Sequence, residues 1–492
     1  MKQSMEQFLD EMDLLIKAAK GNEVKERVVG LRRKEIPRSL LARVARIAWR
    51  VNAPLFAIRL LHPVLHGSKS EPASASPAEK AEYGACLIRI GAHEEGMSIL
   101  TSLDATANPE VFLFQAFGHI GVWEYSSAIP LLRRFLAEPG LNAYQRRIGE
   151  TNLAASLVHE RKAGEAELVL SNILTKNTKE EALVHGFALH LAAENAIYQA
   201  KWAEAEGFLD RAAQHLKDCD DRSVFFLRKW QTLLSLMQGG PSGAVLSSIH
   251  ALKAQAKSLH HWESIRDLDS KIAVAQEDRS LFFKVYFGTP YQEYRDRIHL
   301  EMGGRIEIVE TYLWQPAEEP GTCIDASTGA ILGSESGLKM GRLPHQLFSI
   351  LCSDLYRPLS LAAVHSKLYP QAYFDPESSP ARVRSIKTAL RGWLKENKVP
   401  LRISSANGFL RLVPYGAVSV KLRLKTENID RKALLLEKVK EVFPTSPFST
   451  REVGKVLQLS KMSVLRLLQN AKGEGAVFES GQGKRRRYSF AG

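Results

Sequence analysis

Between residues 45 and 209 one arrangement recurs five times: a small residue, a second small residue twelve positions on, and a leucine four positions after that. The small pairs are Ala45/Ala57, Gly84/Gly96, Ala116/Ala128, Ala154/Ala166 and Ala193/Ala205, followed by Leu61, Leu100, Leu132, Leu170 and Leu209. Successive units are spaced 39, 32, 38 and 39 residues apart. A period of that length holds two helices and a turn. A small residue on each helix lets the paired backbones approach, and the leucine fills the groove beside them. One such hairpin cannot bury its apolar face alone, so the units must stack. The expectation is a helical array over about residues 38–215, with a degenerate sixth hairpin around 223–257, the whole spanning 38–280.

These small residues and their twelve-residue offset resemble the tetratricopeptide repeat (TPR) family. The period here is longer and less regular than that family's, and its aromatic and proline positions are only patchily filled, so the array reads as a divergent TPR-like α-solenoid. An unrelated helical bundle is the alternative. The resemblance implies a concave face that binds a protein partner or is buried in self-association. Residues 1–37 read as an N-terminal helical segment, and the Ser/Pro/Ala-rich stretch 66–80 as an exposed loop between the first two hairpins.

A connecting segment over 281–320 begins with a helix, 281–300, broken at Gly288-Thr289-Pro290. The apolar period then changes. Stretches 305–314 and 322–332 carry β-branched and aromatic residues with turn signals between them, which predicts short strands.

Charge divides the chain in the same place. Residues 339–492 hold 28 Lys+Arg against 11 Asp+Glu, a net of +17, whereas residues 1–338 hold 39 against 43, a net of −4. The whole excess of +13 therefore comes from the last third. A locally basic region points to a polyanion, most often nucleic acid.

Within that region the order of elements over 321–416 is a small hairpin, two helices, a long helix at about 379–397, and two strands around Asn407-Gly408. Three helices closed by a hairpin make a winged helix. Leu343, Leu347, Leu390-Arg391, Ile403, Gly408-Phe409 and Leu412 resemble the OmpR/PhoB-type DNA-binding domain. Departures from that pattern are Arg384, where an Asp is usual in the third helix, and Ala406-Asn407, where a basic-glycine pair is common. The resemblance implies a third helix in the major groove and a wing, with Asn407 at its tip, in the adjacent minor groove. Arg382, Arg384, Lys387, Arg391 and Lys395 recur along that helix with no acid from 378 to 395, and the last four share a face. Val383, Ile386, Leu390 and Leu394 form a separate apolar stripe. Arginines in such a stripe suit base edges, and lysines suit phosphates.

A second unit is expected over 430–492. In 449–469 Gly454 marks a helix crossing, Leu457 and Leu459 a turn, and Val464 the underside of a second helix that Ser460 would cap. Gln458 stands where a turn glycine is common. An alternating stretch follows, with Gly481, Gly483 and the run Lys484-Arg485-Arg486-Arg487 at its tip. This segment resembles winged helix-turn-helix regulator domains. The resemblance implies DNA contact from Lys461, Ser463 and Arg466 on the recognition helix and from Lys484, Arg485, Arg486 and Arg487 in the wing.

Catalytic readings find no residues. There is no phosphate-binding loop, no paired-histidine metal motif and no nucleophile elbow, so neither enzyme activity, metal nor cofactor is expected. The four cysteines, Cys86, Cys219, Cys323 and Cys352, match no metal or disulfide spacing. Early acidic residues and the lack of an 18-residue apolar run predict a cytoplasmic, non-membrane protein. The fold class expected is mainly α: a TPR-like α-solenoid followed by two small α/β winged-helix domains. The function expected is a sequence-specific, bacterial transcriptional regulator acting on double-stranded DNA. The alternative is a non-enzymatic scaffold whose winged helices bind protein or RNA, which burial of the cationic stripe would favour.

Overall fold

The computed structural model describes residues 4–17, 20–67, 72–175, 182–216, 221–317, 319, 321–424, 431–457, 459, 461–481 and 486–490. The protein is mainly helical, with a few small sheets. It divides into two compact units. The first comprises Met1–Ile308, Asp354–Val383 and Ala406–Leu410, and the second Val309–Ser353, Arg384–Ser405 and Arg411–Gly492. No helix among the described residues is long and apolar enough to cross a membrane.

In the first unit α1 (Met5–Lys17) and α2 (Gly21–Val29) precede a run of antiparallel pairs. The pairs are α3 (Leu41–Arg50) with α4 (Pro54–His66), α5 (Pro77–Ile90) with α6 (His93–Thr101), and α7 (Glu110–Gly121) with α8 (Tyr125–Ala137). They continue with α9 (Ala143–His159) and α10 (Ala163–Thr175), α11 (Ala182–Tyr198) and α12 (Trp202–Leu216), and α13 (Asp221–Gly239) and α14 (Gly243–Ser258). A further pair, α15 (Trp262–Gln276) with α16 (Arg279–Phe287), extends the run, and α17 (Gln292–Glu301) follows it. The break between α16 and α17 falls where Gly288-Thr289-Pro290 predicts it.

Start signals are local. Ser76 and Glu79 form a capping box at α5 with Pro77 in its first turn, and Asn142 and Gln145 do the same at α9. The recurring small residues are buried at the helix crossings, as are their leucines. At the α5–α6 crossing a Cβ on Gly96 would lie 2.7 Å from the Gly84 carbonyl oxygen, and one on Gly84 2.9 Å from Leu100 Cγ.

A second recurrence, in the backbone, has the same period. Seven residues after the first small residue of each unit the chain turns left-handed, at Asn52 (φ 59°), Gly91 (91°), Trp123 (69°), Arg161 (58°) and Ala200 (56°). The next residue's amide then closes back on the helix: Ala53 N donates to Ala48 O (2.8 Å), and Ala92, Glu124, Lys162 and Lys201 donate to Leu87, His119, Leu157 and Ala196 at 2.9 Å. This bond satisfies a carbonyl that the helix end would otherwise leave open. Only one of the five left-handed positions is glycine, so tertiary packing holds a conformation that costs roughly 1–2 kcal/mol elsewhere.

In the second unit β1 (Thr311–Trp314) and β2 (Thr322–Asp325) precede α18 (Leu343–Cys352). The chain then passes through the first unit as β3 (Leu359–Ser360) and α19 (Leu361–Leu368). The long α20 (Ser379–Glu396) leads back, followed by β4 (Leu401–Ala406), β5 (Phe409–Pro414) and β6 (Val418–Arg423). Strand β6 pairs antiparallel with β1 and parallel with β2. That sheet reaches past the expected 321–416 stretch at both ends. A hairpin reading of sequence pairs only neighbours, whereas β6 pairs with strands roughly a hundred residues away. Residues 305–310, expected to be extended, form no strand; of that stretch only β1 does. The last elements are α21 (Arg431–Val442), α22 (Thr450–Leu457), α23 (Lys461–Gly473) and the antiparallel strands β7 (Val477–Ser480) and β8 (Arg487–Phe490).

Gly96→Val should cost about 1–3 kcal/mol through overpacking against the Gly84 backbone, read as a lowered Tm. Gly207→Ala, where a Cβ on α12 meets nothing within 4 Å, should instead raise stability by about 0.4–1 kcal/mol.

Candidate nucleic-acid interface

Helix α20 separates its faces as its sequence predicts. Val383, Ile386, Leu390 and Leu394 are buried, Arg382, Arg384, Arg391 and Lys395 are exposed, and Lys387 is half-buried. The ion pairs formed by the described residues include none of these five cations. Arg384, Lys387 and Arg391 are close enough to act on one another. Partial burial, then the Arg391 and Arg384 guanidiniums, lower the Lys387 ammonium below the ordinary lysine range. Unneutralised like charges on one rigid helix create a field that a polyanion would relieve.

The five cations are not equivalent. Arg391 Nη2 donates to the Ile403 carbonyl oxygen at 2.5 Å, so this arginine ties α20 to β4. The sequence reading gives Arg391 only an external partner, because nothing in a helical period shows which strand will cross the helix. Arg382 lies off the shared face, with its guanidinium 5.8 Å from the centre of the Tyr369 ring. Arg384, Lys387 and Lys395 remain as the outward row.

Asn407 (φ 50°) and Gly408 (φ 79°) form the β4–β5 turn, and Asn407 is exposed. The turn does not project alone: Gly408 O accepts from Leu361 N at 2.9 Å, and β3 pairs with β5. Two further exposed cations escaped the sequence reading, Lys398 just after α20 and Arg402 on β4. Arg402 was legible as the outward residue between buried Leu401 and Ile403.

In the last 60 residues Val439, Phe448, Val453, Val464, Leu468, Ala471, Val477 and Tyr488 form one core. Gly454 faces Val464 as the motif predicts. A Cβ there would lie 3.4 Å from the Leu459 carbonyl oxygen and 3.9 Å from Val464, so alanine would also fit. Lys461, Ser463 and Arg466 are exposed on α23. Gln458, Ser460, Gly483, Lys484 and Arg485 lie outside the described residues, as does Cys219.

Carboxylates hold the other two wing arginines. Arg486 pairs with Glu479 and Arg487 with Glu452, each at 2.8 Å, and Lys472 also reaches Glu479 at 2.8 Å. A hydrogen bond from Lys472 holds the Glu479 carboxyl below its ordinary range, and one from Ser449 does the same for Glu452. These pairs are solvent-exposed and contribute little to stability. They do offset two of the charges that the run of four suggests.

No protein-family model and no curated protein matches the sequence. The site therefore rests on its geometry.

Glu479→Ala should free Lys472 and Arg486 and strengthen binding to duplex DNA of any sequence. The slope of log K against log salt should steepen by about 0.9 for each cation recruited, measured by fluorescence anisotropy.

Proposed function

We propose that this protein is a sequence-specific, DNA-binding transcriptional regulator without catalytic activity. In this reading an OmpR/PhoB-type winged helix spans residues 321–416, a second winged helix-turn-helix domain spans residues 430–492, and a divergent TPR-like solenoid over residues 38–280 precedes them in the chain. The observation that supports it best is the outward row on α20, exposed Arg384 and Lys395 with half-buried Lys387 between them, on a long helix that presents no acid until Glu396. Burial of that row would have favoured a protein- or RNA-binding scaffold. The array would dock a protein partner or a second copy. Double-stranded DNA is the main ligand, and the cytoplasm of a bacterium is the compartment this role requires.

Phosphate contact and base reading separate by salt and by sequence. The full-length chain, selected against a pool of random duplexes across a salt series, should enrich one motif and show a steep salt slope. Arg384→Ala should then weaken the enriched duplex by about 1–3 kcal/mol and relax preference at one position. Lys395→Ala should weaken all duplexes alike. Salt-sensitive binding without enrichment would reduce the protein to a non-specific binder, and no binding would remove the reading.

A further inference from the structure

Of the left-handed turns that close the hairpins, two carry bulky side chains, Trp123 (φ 69°) and Arg161 (φ 58°). That backbone costs such a residue free energy, and it persists where the surrounding structure uses the side chain presented there. Both side chains meet the same element of the first unit, α17. The Arg297 guanidinium lies 4.7 Å from the centre of the Trp123 ring, and Tyr294 meets that ring edge-on with centroids 4.6 Å apart. Beside Trp123, Glu293 accepts from Ser126 Oγ at 2.8 Å. Arg161 donates to Glu301, which also accepts from Lys271 of α15 at 2.8 Å. The glycine turn, at Gly91, receives the start of α19 instead: Ser360 Oγ donates to Ile90 O, and a Cβ on Gly91 would lie 2.9 Å from that of Ala363.

The hairpins hold their side of this contact by themselves. Arg161 lies over the Tyr198 ring, and Lys271 Nζ is 5.3 Å from the centre of the same ring, so α11 places both cations that Glu301 meets. Helix α17 is short and polar, and buries only Tyr294, Arg295 and Ile298. Arg295 spends its hydrogen bonds locally, on Thr289 O and Gln292. Among the described residues, none from α17 enters the apolar clusters that hold the hairpins. Tyr294, Arg297 and Glu301 stand at i, i+3 and i+7 and so share one face of the helix. That face makes the contacts to Trp123, Arg161 and Lys271. Contacts built from arginine, aromatic and carboxylate groups with little apolar core are those of surfaces that associate and part, rather than of a domain interior.

We propose that α17 is a resident, displaceable ligand of the hairpins: the seat formed by Trp123, Ser126, Arg161 and Lys271 accepts a partner protein's helix that carries an aromatic residue, an arginine and a glutamate at i, i+3 and i+7, and α17 masks that seat until the partner replaces it. This rests on the reading of the hairpin array as a docking module and not on DNA binding, since every residue involved lies between 123 and 301. A tethered helix competes at an effective concentration on the order of millimolar, so the seat is closed to weak ligands and open to one that makes further contacts. Replacing α17 by a helix of the same face leaves Arg161 and Lys271 paired, which avoids the cost of stranding a charge.

The test titrates a fluorescein-labelled peptide of residues 290–303 with the full-length chain and follows anisotropy. Wild type, with its seat filled, should bind weakly. Arg297→Ala in the chain loosens the resident helix and leaves the seat intact, so this variant should bind the peptide about tenfold or more tightly than wild type does. A peptide carrying R297A should lose that gain, and hydrogen exchange over residues 123–126 should slow when the unaltered peptide is added. If circular dichroism shows the Arg297→Ala chain unfolded, the near-isosteric Glu301→Gln chain decides by the same readings. No gain in affinity, or equal binding of the two peptides, would overturn the proposal. Unfolding of both variants would make α17 part of the hairpins' own core and overturn it as well. None of these results alters the duplex-binding measurement, so this proposal and the DNA-binding reading fail separately.

Discussion

The close crossing of paired helices at small residues is the constraint on which the rest of the first unit depends. Because Gly84 and Gly96 lack side chains at their contact, α5 and α6 approach until the backbone of one limits the other. The same offset sets the crossing in each of the five units. It also sets the left-handed turn seven residues after the first small position, since the chain must reverse within two or three residues to bring the second helix back. A row of equivalent turns follows, and that row receives α17 and the start of α19.

The surfaces used differ in chemistry. Hairpins pack through apolar cores such as Leu153, Leu157, Leu170 and Ile173, where burial of each side chain contributes on the order of 1.5–3 kcal/mol. Helix α17 instead packs through Arg297, Glu301 and Tyr294 against Trp123, Arg161 and Lys271. A buried ion pair adds little over an apolar contact, yet it is costly to break from one side, so such contacts specify a position more than they stabilise it. Arg266 with Asp354 follows the same rule, surrounded by Tyr291 and Tyr356.

Charge in the last third obeys two regimes. On α20 none of the five cations forms an ion pair among the described residues, and partial burial, with Arg391 and Arg384 beside it, lowers the Lys387 ammonium below the ordinary lysine range. At the start of β8, Glu479 of β7 holds Arg486 and Glu452 of α22 holds Arg487. The first arrangement leaves a field for a polyanion to relieve, and the second reduces it.

The sequence by itself determined the periodic features. A twelve-residue offset of small residues, capping boxes at Ser76 and Asn142, the break at Gly288 and the Asn407-Gly408 turn are local or short-range, and each has its cause within about a helical turn or one hairpin. The stripe on α20 was legible for the same reason, because helical period alone fixes which residues share a face. Long-range partners were decided only by the tertiary structure. Nothing near Val418 marks it as the partner of Thr322, nothing beside Arg391 announces Ile403, and Asp354 lies 88 residues from Arg266. Residue type states what a side chain can bond with, but burial decides which partner is within reach. A segment that carries the signals of one domain can therefore be held in the core of another.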